Sequence, residues 1–330
     1  MKNNRLLLVL VFLLLLVFGV SIFVGRYPRP YWMPLNLLLN ESLAQKLVFS
    51  LRIPRLLMAA LLGMALAACG EVLQMLFQNP IVEPGFLGVS QGAAFGASLA
   101  ILFLGGSLIS TEIMAAAFAL LGLGLSFVIS RLIKFGGWVL RLVLSGIVVS
   151  AIMSSGLGIL KYIADPLTEL QEITFWLLGG LWSTTWKDVI FILPVVALCL
   201  TIVLLMRWRL NVLSLNDATA FSLGASTGRE RVFLLTCAVI AVAAVTSVSG
   251  IVNWVGLIVP HLSRRIFGSN AQYSLPGSLL IGAIFTMICD VIARTMLTGE
   301  IPLGIITSFL GAVIFIVLMS REKLKVVSNE

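Results

Sequence analysis

The chain has 330 residues, of which 60% are hydrophobic and only 11% are charged, and its mean hydropathy is +1.10. Soluble domains carry about 25% charged residues. The composition therefore excludes a soluble enzyme or a disordered scaffold and predicts an integral membrane protein. The net charge of +8 does not indicate nucleic-acid binding, because the basic residues lie between apolar runs and not in a dense tract interleaved with aromatic residues.

Apolar runs predict an all-α protein with about ten transmembrane helices, since about 20 residues are needed to span a bilayer. The first run, Leu6 to Val24, is too long for the core of a signal peptide, and no small-residue cleavage site follows it. The eighth run is short and contains Gly256 and Pro260, which predicts a broken helix. A short external helix is expected at 165–180. The predicted spans are 6–24, 54–78, 88–106, 111–133, 141–163, 188–207, 229–249, 252–267, 273–297 and 302–320.

The distribution of basic residues predicts that both termini face the cytoplasm. Cytoplasmic loops of inner-membrane proteins are enriched in Lys and Arg, and this orientation places 14 of the 22 basic residues inside, leaving 22 − 14 = 8 outside. Five of the eight fall in the first external loop: Arg26, Arg29, Lys46, Arg52 and Arg55. The residues assigned to the cytoplasmic side are Lys2, Arg5, Arg131, Lys134, Arg141, Arg207, Arg209, Arg229, Arg231, Arg264, Arg265, Arg321, Lys323 and Lys325.

The sequence offers neither an ATP-binding motif nor a cluster of metal ligands. No GxxxxGK[ST] phosphate-binding loop is present, so the energy for a pump would have to come from another polypeptide. The four cysteines lie in apolar runs without CxxC spacing, which is typical of small buried hydrophobic residues. A lone histidine, His261, cannot build a metal cluster.

Glu71 and Asp290 stand out as titratable residues within the predicted spans. Asp290 precedes Arg294 by four residues, a spacing that predicts an ion pair on a helix near its external end. Glu71 has no basic residue near it in the sequence, and an unpaired charge in the bilayer is costly. Three states remain open for Glu71: a protonated carboxyl group, an ion pair across the bundle, or a carboxylate that faces a wet cavity.

Small residues at four-residue spacing predict that some helices pack closely. The pairs are Gly63 with Ala67 and Gly92 with Gly96.

Eight motifs follow one another in a fixed order along nearly the whole chain. They are LRIPRLL (51–57), QNPIVEPGFLGVSQG (78–92), RLVLSG (141–146), FWLLGG (175–180), LSLNDATAFSLG (213–224), GLIVPH (256–261), DVIAR (290–294) and IPLG (301–304). Together they resemble the FecCD family, the membrane permeases of type II ABC importers for iron–siderophore complexes, haem and vitamin B12. Some relatives in this family carry molybdate or tungstate.

The resemblance implies a BtuC-like ABC importer permease fold with ten helices in a single transmembrane domain, residues 1–330. Such subunits work as a homodimer or a close heterodimer, and the substrate pathway follows the subunit interface. Two ABC ATPase subunits would bind inside and an extracytoplasmic substrate-binding protein outside, at the inner membrane of a prokaryote. The chain itself would bind no cofactor, because ATP and Mg²⁺ belong to the ATPase.

The segment from about 210 to 228 is the candidate for contact with the ATPase. Ser214-x-x-Asp217 resembles a capping box and Gly224 is a suitable helix stop, so a short helix is expected. Exposed apolar side chains in this segment would suit a partner surface, whereas the alternative is an ordinary solvated loop. The coupling residues implied by the resemblance are Leu213, Ser214, Asp217, Phe221, Leu223 and Gly224.

Two further sets of residues follow from the resemblance. Arg52, Arg55 and Arg294 match the arginines that bind acidic residues of the binding protein, a role that suits the bidentate guanidinium group. The alternative for these arginines is contact with lipid head groups. The residues expected at the cytoplasmic gate are Asn79 and Pro80, together with Val139 and Leu140 in the loop before the fifth span.

The expected cargo is a metal chelate, with an iron–siderophore complex first and haem or cobalamin next. An oxyanion such as molybdate is the alternative. Many relatives have a small apolar residue where Glu71 stands, so this acid is expected to tune the local pathway. An ion-coupled secondary transporter is a rival class that only Glu71 supports, and an intramembrane enzyme would need paired His, Asp or Ser residues that the sequence does not offer.

Overall fold

The computed structural model describes residues 2–29 and 31–327, with side chains described as far as Ser320. Arg321, Lys323 and Lys325, which the topology prediction assigns to the cytoplasmic side, lie outside the described side chains. In chain order the helices are α1 (Lys2–Phe23), α2 (Leu35–Asn40), α3 (Ser42–Lys46), α4 (Ile53–Phe77), α5 (Val89–Phe103), α6 (Leu108–Leu132), α7 (Trp138–Ile163), α8 (Glu169–Leu178), α9 (Trp186–Leu205), α10 (Arg207–Leu213), α11 (Asp217–Ser222), α12 (Thr227–Ser249), α13 (Val255–Phe267), α14 (Ala271–Thr295) and α15 (Leu303–Val327).

A π-helical stretch, Leu47–Arg52, joins α3 to α4 without a break. Pro54, at the start of α4, has no N–H to donate and would collide with the carbonyl of Ser50 in a regular α-helix. The wider turn before the proline accounts for the continuity of the helix. A 3-10 turn, Pro84–Leu87, precedes α5.

The ten predicted spans all coincide with helices. Among the described residues, eight helical stretches are long and apolar enough to cross a membrane, and the multi-pass character of the chain is therefore confirmed. The other two predicted spans correspond to α5, with 15 residues, and α13, with 13 residues. At 1.5 Å per residue α13 is only about 20 Å long, so it crosses only part of a hydrocarbon core of about 30 Å.

The predicted break at Gly256 and Pro260 is wrong. Helix α13 runs through both residues, and the irregular backbone lies just before it, where Trp254 adopts a φ of 73°. The helix survives Pro260 because a side chain from α4 binds the carbonyl group that the proline cannot bind, as described below.

Helix α4 forms the centre of the bundle. In its apolar window 83% of residues are buried, against 6% for α1. The predicted close approaches are confirmed: a Cβ atom on Gly63 would collide with the carbonyl oxygen of Gly282 in α14, and one on Gly96 would collide with that of Met114 in α6. The small residues therefore bring α14 against α4 and α6 against α5.

Helix ends meet at two opposite faces of the bundle. The first, here called the arginine face, holds the end of α1, the start of α4 and the end of α14, and the topology prediction makes it external. The second, here called the segment face, holds the end of α4, α10, α11 and the starts of α12 and α14. The short helix predicted at 165–180 is confirmed as α8, Glu169–Leu178.

Candidate functional site

A cluster of arginines and carboxylates lies at the arginine face. Arg55 donates from Nε to Oδ1 of Asp290 at 2.7 Å and from Nη1 to Oε2 of Glu300 at 2.8 Å. The predicted ion pair of Asp290 with Arg294 is confirmed, with 3.6 Å between Oδ2 and Nε. Asp290 is fully buried. Two guanidinium groups thus supply the countercharge that a buried carboxylate needs.

Arg52 and Arg294 bind main-chain carbonyl groups within the chain. Arg52 is only 7% exposed and donates to the oxygens of Ile22 at 2.9 Å and Tyr27 at 2.7 Å. Arg294, equally buried, donates to the oxygen of Ser21 at 2.7 Å. The two side chains fasten the end of α1 to the start of α4 and the end of α14. Docking of a partner at these two arginines stays a prediction, and it would require them to reach the surface from buried positions.

A cavity of about 240 Å³ opens between these side chains. Thr184 also lines it, and its buried hydroxyl has no hydrogen-bond partner among the described residues. The charged residues around the cavity are Arg26, Arg52, Arg55, Arg294 and Glu300. With four basic side chains against one acidic side chain, the cavity favours a negatively charged group.

A second charged cluster surrounds Glu71, which is fully buried on α4. Its Oε2 atom lies 3.3 Å from Nη1 of Arg264 on α13. Ser274 and Ser278 of α14 donate to Oε1 and Oε2 at 2.8 and 2.9 Å. Of the three states left open for Glu71, the geometry selects the ion pair across the bundle. The prediction did not identify Arg264 as the partner, because 193 residues separate it from Glu71.

Gln74 extends this cluster by one turn of α4. Its Nε2 donates to the oxygens of Gly256 at 3.2 Å and Leu257 at 3.1 Å, and its Oε1 accepts from Arg264. Pro260 lacks the N–H that would normally bind the oxygen of Gly256 four residues earlier. The Gln74 amide therefore satisfies the first turn of α13 from outside the helix, which keeps this short helix intact in the membrane.

The segment from about 210 to 228 folds as two short helices, and the predicted capping box at Ser214 is wrong. The N-cap of α11 is Asn216, whose side chain accepts from the N–H of Thr219 at 2.8 Å. Ser214 instead follows α10 and donates to the oxygen of Asn211. The predicted stop at Gly224 is confirmed, because α11 ends two residues earlier and Gly224 has a φ of +75°.

The apolar side chains of the segment divide into two groups. Leu213 is fully buried together with Leu210, and these two anchor the segment in the bundle. Phe221 is 76% exposed and Leu223 is 56% exposed. Exposed apolar side chains at a helix end suit contact with another molecule, and the contact of these two with an ATPase stays a prediction.

Polar side chains tie the segment to three long helices. Arg231 of α12 binds Asp217 at 2.6 Å and the oxygen of Leu213 at 2.9 Å. Gln78, at the end of α4, donates to the oxygen of Ser214 at 2.6 Å. Asn211 accepts from the N–H of Ala271 at the start of α14 at 2.8 Å. A displacement of the segment would therefore act on α4, α12 and α14 together.

The predicted gate residues lie on the segment face, but not all in loops. Asn79 and Pro80 follow the end of α4, and Asn79 Oδ1 accepts from the N–H of Ile81 at 3.0 Å. Val139 and Leu140 belong to the first turn of α7, so their placement in a loop is wrong. Closure of a pathway by these four residues stays a prediction.

A cavity of about 610 Å³ lies beside Asn79 and Pro80 at the segment face. Arg264 reaches it from the Glu71 cluster, and Asn79 and Ser214 border it. The cavity thus connects the charged cluster in the bundle with the exposed segment. Within the described residues no group of three or more His, Cys, Asp or Glu side chains could hold a metal ion.

Comparisons with known proteins identify relatives of the whole chain and of its fold. The permease protein MolB of the Haemophilus influenzae molybdate import system is 36% identical over 327 residues, which cover 97% of this chain and 96% of MolB. The Yersinia pestis hemin transport system permease protein HmuU is 35% identical over 279 residues, 83% of each chain. A solved ABC transporter structure in an inward-facing conformation, assigned to the metal-chelate type, has a TM-score of 0.89 at 36% identity and covers 96% of this chain and 99% of its own.

The model of the FecCD transport family matches residues 13–321. The resemblance drawn from the eight motifs and the BtuC-like fold are confirmed. The chain belongs to the FecCD transport family and is a multi-pass membrane permease of the ABC importer type.

Proposed function

We propose that this permease moves a metal chelate across the inner membrane of a prokaryote as one half of a homodimer. The pathway follows the dimer interface, a substrate-binding protein delivers the cargo at the arginine face, and two ABC ATPase subunits work at the segment face. Both termini are cytoplasmic. The chain binds no cofactor, because ATP and Mg²⁺ are held by the ATPase.

The observation that carries the proposal is the construction of the α10–α11 segment. It presents Phe221 and Leu223 outward while hydrogen bonds hold its other side to α4, α12 and α14. A partner that binds the exposed side can therefore displace three helices together. In this mechanism, ATP-driven closure of the ATPase pair displaces the segment, and the helices switch the dimer interface between outward-open and inward-open states.

Transport needs no covalent change in the cargo. The permease has to offer a route without a tight site, because each 1.4 kcal/mol of added affinity slows release by about tenfold at constant association rate. Inside the bundle, the buried carboxylates Glu71 and Asp290 are each paired with an arginine, Arg264 and Arg55. This pairing leaves the two carboxylates little free charge to hold a metal chelate during passage.

Delivery at the arginine face would use the cavity of about 240 Å³. A carboxylate of the binding protein entering it meets Arg55, whose guanidinium group is shared between Asp290 and Glu300. Glu300 is the partner that can be displaced, since its side chain is 36% exposed whereas that of Asp290 is buried. Docking would then exchange one carboxylate for another at the same guanidinium group.

A metal chelate is the preferred cargo because HmuU carries hemin and the structural relative is of the metal-chelate type. Molybdate is the second candidate, because MolB matches along almost the whole chain. The two are separated by purifying the binding protein of the same importer and identifying its ligand by mass spectrometry and metal analysis. Iron or haem would support the first candidate, and molybdenum without an organic chelator would replace it with the second.

The coupling role is tested with Phe221→Ala in proteoliposomes that contain the permease, its ATPase and its binding protein. Phe12→Ala on α1 is the matched control, since Phe12 is 68% exposed. We expect Phe221→Ala to lose ATPase during purification and to lose ATP-driven uptake, and Phe12→Ala to retain both. Uptake that needs no ATPase and follows an ion gradient would refute the proposal in favour of a secondary transporter.

A further inference from the structure

A second, smaller cavity of about 120 Å³ lies beside the arginine cavity. It is formed where the end of α5, the start of α6, helix α8 and the end of α12 meet. Trp182 lines both cavities and separates them. The charged residues of the smaller cavity are two acids, Glu112 and Glu172, so its charge is opposite to that of its neighbour.

Neither carboxylate has a cationic partner among the described residues. By contrast, three other acids of the described spans each pair with an arginine: Glu71 with Arg264, Asp290 with Arg55 and Glu230 with Arg209. Burial and the nearby Glu169 raise the pKa of Glu172 above its ordinary value. Two acids without a countercharge thus line one cavity, and a cation bound there would supply that countercharge.

A buried hydroxyl in the same cavity also lacks a partner. Thr111 is only 6% exposed, lines the cavity beside Glu112, and its Oγ1 makes no hydrogen bond within the described chain. Buried polar atoms are almost always satisfied in native proteins. An acceptor left free next to two carboxylates indicates a ligand that donates hydrogen bonds.

The size and walls of the cavity restrict the ligand. Its volume is below the roughly 300–1,000 Å³ of small-molecule sites, so it cannot hold a metal chelate. Phe175 and Trp182 pack edge to face in its wall, with ring centroids 6.4 Å apart. Aromatic rings attract ammonium and guanidinium groups, whereas hard metal ions require six or more oxygen ligands.

We propose that the cavity around Glu112 and Glu172 receives a lysine or arginine side chain of the substrate-binding protein. This rests on the proposed function, which places the binding protein on the arginine face. The binding protein would then place an acidic side chain in the cavity of Arg55 and a basic side chain in the cavity of Glu112, on either side of Trp182. Two contacts of opposite charge fix the rotation of the docked protein, which like charges alone would not do.

The test measures binding of the importer's own binding protein to the permease–ATPase complex in nanodiscs by interferometry. The variants are Glu112→Gln, Glu172→Gln and the double variant. Asp165→Asn is the matched control, because Asp165 is an exposed acid just before α8 and does not line the cavity. Size-exclusion profiles and basal ATP hydrolysis of every variant serve as the check of folding.

We expect the double variant to weaken binding by about tenfold or more, as truncation on one side of a buried charge pair does, and Asp165→Asn to change it less than twofold. Arginine amide at millimolar concentration should compete with the binding protein on the unmodified complex and not on the double variant. If the double variant binds as tightly as the control while Arg55→Gln still weakens docking, the second cavity has no such role and the proposed function stands. If Arg55→Gln has no effect either, the docking face itself is wrong.

Discussion

Replacement of Glu71 by glutamine isolates the charge of the cluster at the centre of the bundle. Glutamine preserves the shape and one carbonyl oxygen but removes the charge. Hydrogen bonds to a charged group contribute about 1.5–3 kcal/mol and neutral ones about 1 kcal/mol, so the two serine bonds together lose about 2 kcal/mol. Arg264 also loses its countercharge, which costs about 3–5 kcal/mol for a fully buried pair.

The loss at Arg264 should be smaller than that range. Its side chain is 19% exposed and reaches the cavity of about 610 Å³, where water can solvate the unpaired guanidinium group. The unpaired guanidinium group then costs about 1–2 kcal/mol. Together with the roughly 2 kcal/mol lost from the serine hydrogen bonds, the total is about 3–4 kcal/mol. The entropy of unfolding is about 2.1 cal/mol/K per residue, so 1 kcal/mol shifts the melting temperature of a chain of 330 residues by about 1.4 °C. Glu71→Gln should therefore lower the apparent melting temperature by about 4–6 °C.

The assay is thermal unfolding of the purified permease in detergent at one heating rate, since unfolding of such proteins is often irreversible. Glu169→Gln is the control, because this carboxylate is only half-buried and accepts one backbone N–H. Combining Glu71→Gln with Arg264→Met removes the unpaired guanidinium group and should recover about 1–2 kcal/mol of the loss, because a neutral pair often replaces a buried ion pair without cost. Equal melting of Glu71→Gln and the unmodified protein would show that the ion pair contributes nothing, and the account of the cluster would be wrong.

Three further predictions test other parts of the molecule. Glu300→Gln removes the carboxylate that binds Nη1 of Arg55. It should strengthen docking of the binding protein several-fold in the nanodisc assay, by about 1 kcal/mol. Weaker docking would contradict the proposed exchange of carboxylates. Gln74→Leu leaves the oxygen of Gly256 without its donor and should destabilise the permease by about 1–3 kcal/mol, seen as faster hydrogen exchange at the start of α13; unchanged exchange would contradict the role of this amide. Burial raises the pKa of Glu83, so the charged form is the costly one when folded, and Glu83→Gln should stabilise the protein at neutral pH. The gain in unfolding free energy should shrink as the pH falls through the raised pKa of Glu83, because the protonated carboxyl group is neutral like glutamine. A gain that grows on acidification, measured by unfolding at several pH values, would contradict the raised pKa.

The positions of the helices could be predicted because membrane helices are read from local composition. Every predicted span coincides with a helix, and the close packing at Gly63 follows from small residues alone. The pairing of Asp290 with Arg294 was also predictable, because four residues bring the two side chains to one side of a helix. These features depend on neighbours in the sequence.

Features that depend on distant residues were not predictable in the same way. Arg264 and Gln74 meet across two helices, and no local spacing relates them. The continuity of α13 through Pro260 depends on that same glutamine, so a rule based on proline alone predicts a break that does not occur. Glu112 was overlooked because it stands at the end of a predicted span, where a carboxylate is ordinarily solvated.

The two charged clusters join the same central helices near opposite faces of the bundle. Near the segment face the ion pair of Glu71 and the amide of Gln74 join α4, α13 and α14 into one unit. Near the arginine face Arg55 and Asp290 join the other ends of α4 and α14. Since α4 and α14 are clamped at both ends and packed through Gly63, a pull on the α10–α11 segment is expected to move them as a rigid pair instead of separating them. An ATP-driven displacement of the segment would thus be transmitted through α4 and α14 to the docking cavity on the opposite face of the membrane.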